Sequence, residues 1–402
     1  MRLESVSWGK LSSGSKKFFA GSMLAVIAAG LLMGGQRPAR AGEVAAASGY
    51  TLLEPIRHGN LTVFPVVAGK SYSTGEFLTL DEGMRSGDVV VTEYGNVRGL
   101  VRRRPVSTMQ HDSAEVNRLV LINNSKRPLL LLAGEIVTGG KQDRVIGKDR
   151  IVPAESDPVD LSVFCVEPGR WVATSAQFGT SGTMYGAKPN SYHGGAAGRS
   201  IGETLMAAPS VRSKAMGDKD QNQVWAEVRK QEAQVTETVE VAASAVPVET
   251  QELHGTTSYA RVMENKEVKA KVDEIAKPIE LNYQSLMRQL HDRNAVGVVV
   301  AVNGHIIWAD VFASTDLLEK YWPKLVRSYA SEAVVTRAKS GEVSVRDAEA
   351  FLGNLEGRKE TIENEPGLYR HTEITGDGFK AFELTALLPK TGFDLHVAKM
   401  AD

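Results

Sequence analysis

Cysteine is almost absent: Cys165 stands alone in 402 residues, so no disulfide can close within the chain and stability has to come from a buried core. The eight histidines lie far apart with no HxxH or HExxH pair, so the sequence predicts no metal site and names no cofactor. Beyond the first 41 residues no stretch is apolar enough to span a membrane. No repeat of fixed period occurs. Gly194-Gly-Ala-Ala-Gly198-Arg-Ser200 has the flavour of a phosphate loop, but its first glycine is one residue too close, arginine replaces lysine and no apolar strand precedes it.

What the first 41 residues do contain is an address. Lys10, Lys16 and Lys17 precede an apolar segment from Ala20 to Gly35 and then Ala39-Arg40-Ala41, the order of a secretory signal peptide cleaved after Ala41. The apolar core is shorter than the roughly 20 residues of a spanning helix, with an uncleaved anchor as the alternative. Ser15-Lys16-Lys17-Phe18-Phe19 resembles a twin-arginine signal with lysines in place of arginines. Removing six Lys/Arg and one Glu takes the formal net charge from -1 to -6. A mildly acidic chain bound for the periplasm or secretion has no general attraction for nucleic acid.

The remaining length predicts two domains or one elaborated one. From Tyr50 to Trp171 short β-like runs dominate: 61–67, 77–80, 89–93, 116–123, 129–133, 150–152 and 159–167, with turns at Asp81-Glu-Gly, Arg85-Ser-Gly-Asp and Asn123-Asn124. An antiparallel sandwich or barrel-like unit is expected over 49–172. Residues 173–204 form a glycine-rich loop or insertion. The region 205–402 then supplies helices over 221–240 and 259–291, the second broken at Pro278. A hairpin at 295–311 turns on Asn303-Gly304, a dipeptide that accepts a type I′ turn. The helix after it is capped by Thr315 or Asp316 and buries Leu317, Leu318, Tyr321, Trp322, Leu325, Val326 and Tyr329. Strands return over 371–398. Helices between strand blocks make the fold class α+β.

The chemistry concentrates in two segments. Leu129 to Arg144 runs from an apolar strand through Gly139-Gly140 into Lys141, Gln142 and Arg144, a glycine turn whose amides and cations suit a phosphate or carboxylate. The alternative is a solvated turn whose charges pair locally with Glu135 or Asp143. Phe164 to Trp171 ends a strand in a turn that gathers Glu167, Arg170 and Trp171. Glu135 or Glu167 could activate water, Arg170 could hold an anion, and Trp171 could stack on a planar ring. The structural alternative pairs Glu167 with Arg170 and places Trp171 in the core. Cys165 shares a strand face with Leu161 and Val163, which suits a small buried hydrophobe better than a nucleophile. Asp310 is expected to cap the next helix or to pair with Arg327.

Leu132-Ala-Gly-Glu-Ile-Val-Thr-Gly-Gly-Lys-Gln-Asp-Arg144, Phe164-Cys-Val-Glu-Pro-Gly-Arg-Trp171, Gln223-Val-Trp225, and Asn303-Gly304 followed by Ala309-Asp310-Val-Phe312 together resemble the ARG and Rhodanese-Phosphatase-superfamily-associated protein family, ARPP. The resemblance covers most of the chain after the leader, with residues 178–202 as an addition. That family has no established activity. Its association with ADP-ribosylglycohydrolase-type and rhodanese-phosphatase proteins implies a nucleotide- or ADP-ribose-like ligand, with Lys141, Arg144 and Arg170 as phosphate partners. Two functions are therefore expected: binding or hydrolysis of an anionic small molecule by Glu135, Lys141, Gln142, Arg144, Glu167, Arg170 and Trp171, or a non-enzymatic module that meets an envelope protein.

Overall fold

A computed structural model describes residues 49–94, 97, 100–101, 117–180, 204–242, 253, 255–289, 294–339 and 341–402. The expected leader and cleavage site, and most of the glycine-rich segment, lie outside the described residues. The chain begins with β1 (Tyr50–Leu52), β2 (Ile56–His58), β3 (Leu61–Ala68) and β4 (Leu78–Thr79), then α1 (Leu80–Ser86). Strands β5 (Val89–Glu93), β6 (Arg118–Asn123), β7 (Leu129–Leu131), β8 (Glu135–Gly139), β9 (Arg144–Ile146), β10 (Arg150–Val152), β11 (Val159–Cys165), β12 (Phe178–Gly179) and β13 (Leu205–Met206) follow. Next come α2 (Pro209–Ser213), a π-helical turn (Lys214–Asp218), α3 (Gln221–Ala242), α4 (Tyr259–Glu264) and α5 (Lys266–Gln289). The chain closes with β14 (Asn294–Val302), β15 (His305–Phe312), α6 (Thr315–Val335), α7 (Val345–Gly353), β16 (Arg358–Glu365), β17 (Tyr369–Gly376), β18 (Phe379–Ala386) and β19 (Asp394–Ala401). The expected α+β class holds.

Nine strands make the largest sheet, in the order β1-β3-β14-β15-β19-β18-β17-β16 with β2 beside β3. Its interior strand β14 is an almost unbroken valine run because both faces are covered. Val298, Val300 and Val302 pack in the core with Tyr321, Leu325 and Tyr329 of α6, whereas Val299 and Ala301 meet Ala348 and Leu352 of α7. Asn303 and Gly304 carry φ of 53° and 78°, as the predicted type I′ loop requires. The β-rich N-terminal part is barrel-like. Its seven-stranded sheet runs β12-β8-β9-β11-β6-β5 with β13 beside β8, and a bridge from Thr92 to Gln177 brings the two ends together so that the barrel nearly closes. A third sheet, β10-β7-β4, contains the parallel pair β4·β7.

Several local expectations need correction. The Asp81-Glu-Gly turn is the first turn of α1. The side chain of Thr79 accepts from the Glu82 N–H while Glu82 accepts from the Thr79 N–H, a capping box that starts a helix within a strand-rich stretch. Gly87 in the left-handed region ends it. Pro278 lies inside continuous α5, where the carbonyl four residues back belongs to exposed Glu274 and can meet water. The helical region is broken instead at Asn265, whose side chain accepts from the N–H groups of Glu267 and Val268. The cap of α6 is Ser314, which accepts from the Leu317 N–H. Helix α7 and the polar edge strand β16 are additional to the elements read from the sequence.

Candidate functional site

The glycine turn joins β8 to β9, and its backbone demands glycine. Gly139 and Gly140 have φ of 119° and 51°. A Cβ on Gly140 would lie 2.3 Å from the Phe178 ring and 2.6 Å from a Glu93 oxygen. The amides of this turn do face oxygen acceptors, but the acceptors are the protein's own. Gly139 N–H donates to Asp143 Oδ1 at 2.8 Å and Gly140 N–H to Ser175 Oγ at 3.0 Å. Lys141 N–H donates to Glu93 Oε1 at 2.7 Å and Asp143 N–H to Glu167 Oε2 at 3.0 Å. The turn amides are therefore met by carboxylate and hydroxyl oxygens of the protein itself.

Arg170 ties the second motif to this turn. Its Nε donates to Glu167 Oε1 at 2.5 Å and its Nη1 to the carbonyls of Gly140 at 3.0 Å and Val172 at 2.8 Å. Asp143 lies 3.6 Å from the same guanidinium and accepts from Ser258 Oγ at 2.6 Å. Burial and the neighbouring Glu167 carboxylate raise the Asp143 pKa, and the Ser258, Gly139 and Arg170 contacts oppose that rise. Gln142 donates to the Glu167 carbonyl at 3.0 Å. Arg144 is fully buried, and its desolvation lowers its pKa. The structure thus brings Lys141, Gln142, Arg144, Glu167, Arg170 and Trp171 together as expected, largely as an internal staple rather than a solvated turn.

Trp171 corrects the core expectation: it is 43% exposed, beside Val172 at 72%. The Lys141 ammonium stands 5.0 Å from its ring centroid and the Arg144 guanidinium 6.0 Å. Nearby on α3, burial pushes the Glu232 carboxyl up to about 7 against the pull of Arg229, with Glu167 adding to the rise. Cys165 is buried and its thiol pKa is raised by that burial, so it is not poised as a nucleophile. Gln221 extends its strand by accepting from the Cys165 N–H at 2.8 Å and donating to its carbonyl at 2.9 Å.

Glu135 belongs to a different assembly. It is fully buried, and Lys324 of α6 donates to Glu135 at 2.5 Å, to Asp81 at 2.6 Å and to Thr204 at 3.0 Å, using all three of its protons. Burial raises the Glu135 pKa while the lysine opposes it. The Leu132 N–H donates to the other Glu135 oxygen at 2.8 Å. One residue on, Ala133 N–H donates to Asp149 at 2.7 Å, where a second buried network begins.

That network runs from Asp149 through His396 to Asp310 and Arg212. His396 Nδ1 is 2.6 Å from Asp149 and its Nε2 3.2 Å from Asp310, so both ring nitrogens face carboxylates. Arg212 clamps Asp310 with two bonds of 2.9 Å, and Tyr329 donates to the same carboxylate. The expected Asp310 to Arg327 pair is not formed. Arg327 pairs with Asp273, because Asp310 on the buried centre of β15 is met there by Arg212. A Cβ on Gly134 would fall 2.7 Å from Arg212, which explains the glycine between the two networks. Sequence reasoning found Glu135 and Asp310 but not Lys324, Arg212, Asp149 or His396. The available signal was a set of ionisable residues in otherwise apolar strands and helices, such as Lys324 within the stripe of α6.

An α+β frame with a nearly closed barrel, a large antiparallel sheet and signature residues turned into buried ion networks defines the class of this protein. The chain belongs to the ARG and Rhodanese-Phosphatase-superfamily-associated Protein domain family, ARPP-1, whose model matches residues 49–398. No curated protein and no solved structure matches the chain.

Proposed function

We propose that this chain is an exported, non-enzymatic recognition module. It meets an envelope protein through the face made by Lys141, Trp171 and Val172. The observation that carries this reading is the adjacent exposure of Trp171 and Val172 on a turn whose backbone Arg170 pins from behind. A pre-ordered aromatic loses little freedom on binding, and tryptophan is enriched among residues that dominate interface energetics. Lys141 beside the ring fits a partner segment that presents a carboxylate next to an apolar side chain. Hydrolysis is less well supported, since Glu135 is engaged by Lys324 and Glu167 by Arg170, leaving neither free to activate water. Export rests on the leader pattern of residues 1–41.

A photo-crosslinking amino acid placed at Val172 in the producing cell tests the reading, with the exposed Val241 position of α3 as control. A discrete envelope-protein adduct from position 172, absent from 241 and lost in Lys141→Glu, is expected. No adduct at 172, or the same adduct at both positions, would overturn it. The second reading is a planar anion stacked on Trp171 beside Lys141. A fluorescence change on adding ADP-ribose that Trp171→Phe abolishes would favour it instead.

A further inference from the structure

His371 is the least satisfied polar side chain of the large sheet. It lies on β17, is 1% exposed, and neither ring nitrogen has a hydrogen-bond partner. An unmet buried imidazole costs free energy unless something outside the chain supplies the missing bonds. Its ring lines a cavity of about 330 Å³ set between β11, the π-helical turn and β16 to β18. The volume is at the small end of the range for small-molecule sites.

The walls divide by chemistry. Phe164, Met216, Ile362 and Phe382 form an apolar side, with Phe382 nearly parallel to the imidazole at 6.0 Å between centroids. The ionised residues that line it are Lys148 and Lys219. Their carboxylate partners, Glu363 and Glu373, are not among the residues that line the cavity. Burial lowers the His371 pKa; Asp149 and Glu363 oppose that effect, and Lys148 and Lys219 reinforce it. A neutral imidazole offers one donor and one acceptor.

The backbone carries a further signal. Lys219 ends the π-helical turn as a left-handed cap with φ of 55°, an uncommon conformation for a lysine, and its N–H donates to the Lys214 carbonyl. The Lys380 ammonium donates to the Gly217 carbonyl at 3.0 Å and fixes the turn to β18. π-Helical turns recur at functional sites.

We propose that this cavity binds a small organic oxyanion. Its head would lie on Lys148, Lys219 and the His371 ring, and its apolar body among Phe164, Met216, Ile362 and Phe382. The site is separate from the Trp171 face and does not depend on the reading given to that face. A carboxylate and a phosphate ester share this chemistry, and the experiment separates them.

The full chain is titrated with benzoate, phenyl phosphate and inorganic phosphate at up to about 10 mM, following the melting midpoint and heat of binding. One of the two aromatic anions should raise the midpoint, and whichever does so identifies the head group. Inorganic phosphate should be weaker by at least about tenfold, because it has no body for the apolar wall. Lys148→Ala removes a head contact, and Ile362→Trp fills the mouth from a half-exposed edge-strand position without disturbing the core. Each should weaken binding by about tenfold or more while the unliganded midpoint stays near that of the parent. His371→Gln should also weaken it. No response to either aromatic anion overturns the proposal, as does a response unchanged in both Lys148→Ala and Ile362→Trp.

Discussion

His396 shows how much one buried residue can make the stability of this fold depend on pH. With carboxylates at both ring nitrogens it has to be the doubly protonated cation. Burial alone would push its pKa down, but Asp149 and Asp310 overcome that and raise it to about 9 from 6.5. The folded value is the higher one, so the contribution is fully present below about pH 6.5 and is lost as the pH rises through about 9. A shift of this size corresponds to about 3 kcal/mol. Urea unfolding near pH 6 and above pH 9 should show that loss, and His396→Gln should be less stable at the lower pH and should lose the part of the pH dependence that runs through about 9. A parent protein equally stable at both pH values would refute the assignment. Lys324 and Lys141 make a matched pair of tests. Lys324→Ala strands two buried carboxylates and should cost about 3 to 5 kcal/mol, whereas Lys141→Ala, on the exposed side of the glycine turn, should change stability by no more than about 0.5 kcal/mol. Equal losses would mean that the two lysines are not divided between core and surface as described.

At the scale of elements, what could be read from the sequence was what neighbours decide. The valines of β14 and the Asn303-Gly304 loop carry their structure locally, since period and turn chemistry act within a few residues. The leucines of β7 and the glycine pair at the end of β8 also marked a real turn. Helix α1 was missed because its signal is the Thr79 and Glu82 capping box rather than an apolar stripe. The uninterrupted α5 was missed because a proline can sit in a helix when the freed carbonyl lies on the exposed side. The candidate site was legible in membership more than in role. Glu167 and Arg170 are three residues apart and their pairing was among the alternatives, but the filling of the glycine turn by Glu93 and Asp143 requires β5 to lie against it. His396 and Asp149 are 247 residues apart, and no local pattern links them. Trp171 is exposed beside Arg170, whose Nη1 donates to the carbonyls of Gly140 and Val172.

At the scale of the molecule, the two ends of the described chain depend on each other. Strand β3 lies between β1 and β14, pairing from Leu61 to Ala68 with residues 294–302, so the large sheet takes one edge from the N-terminal part and the rest from the C-terminal part. The ion networks cross the same divide. Asp81 and Glu135 precede the glycine-rich segment and their lysine follows it; Asp149 precedes it and His396 follows. Dividing the chain at that segment would therefore leave buried carboxylates without cations in one piece, and His396 without one of its two carboxylates in the other. It would also bare the hydrogen-bonding edges by which β3 and β14 pair. Residues 42–204 and 205–402, expressed separately, should each fail to show a cooperative unfolding transition, and co-expression should restore one. A sharp transition from the isolated 205–402 piece would mean that β14 to β19 and the helices hold their core without β3, and that the crossing ion pairs are dispensable to it.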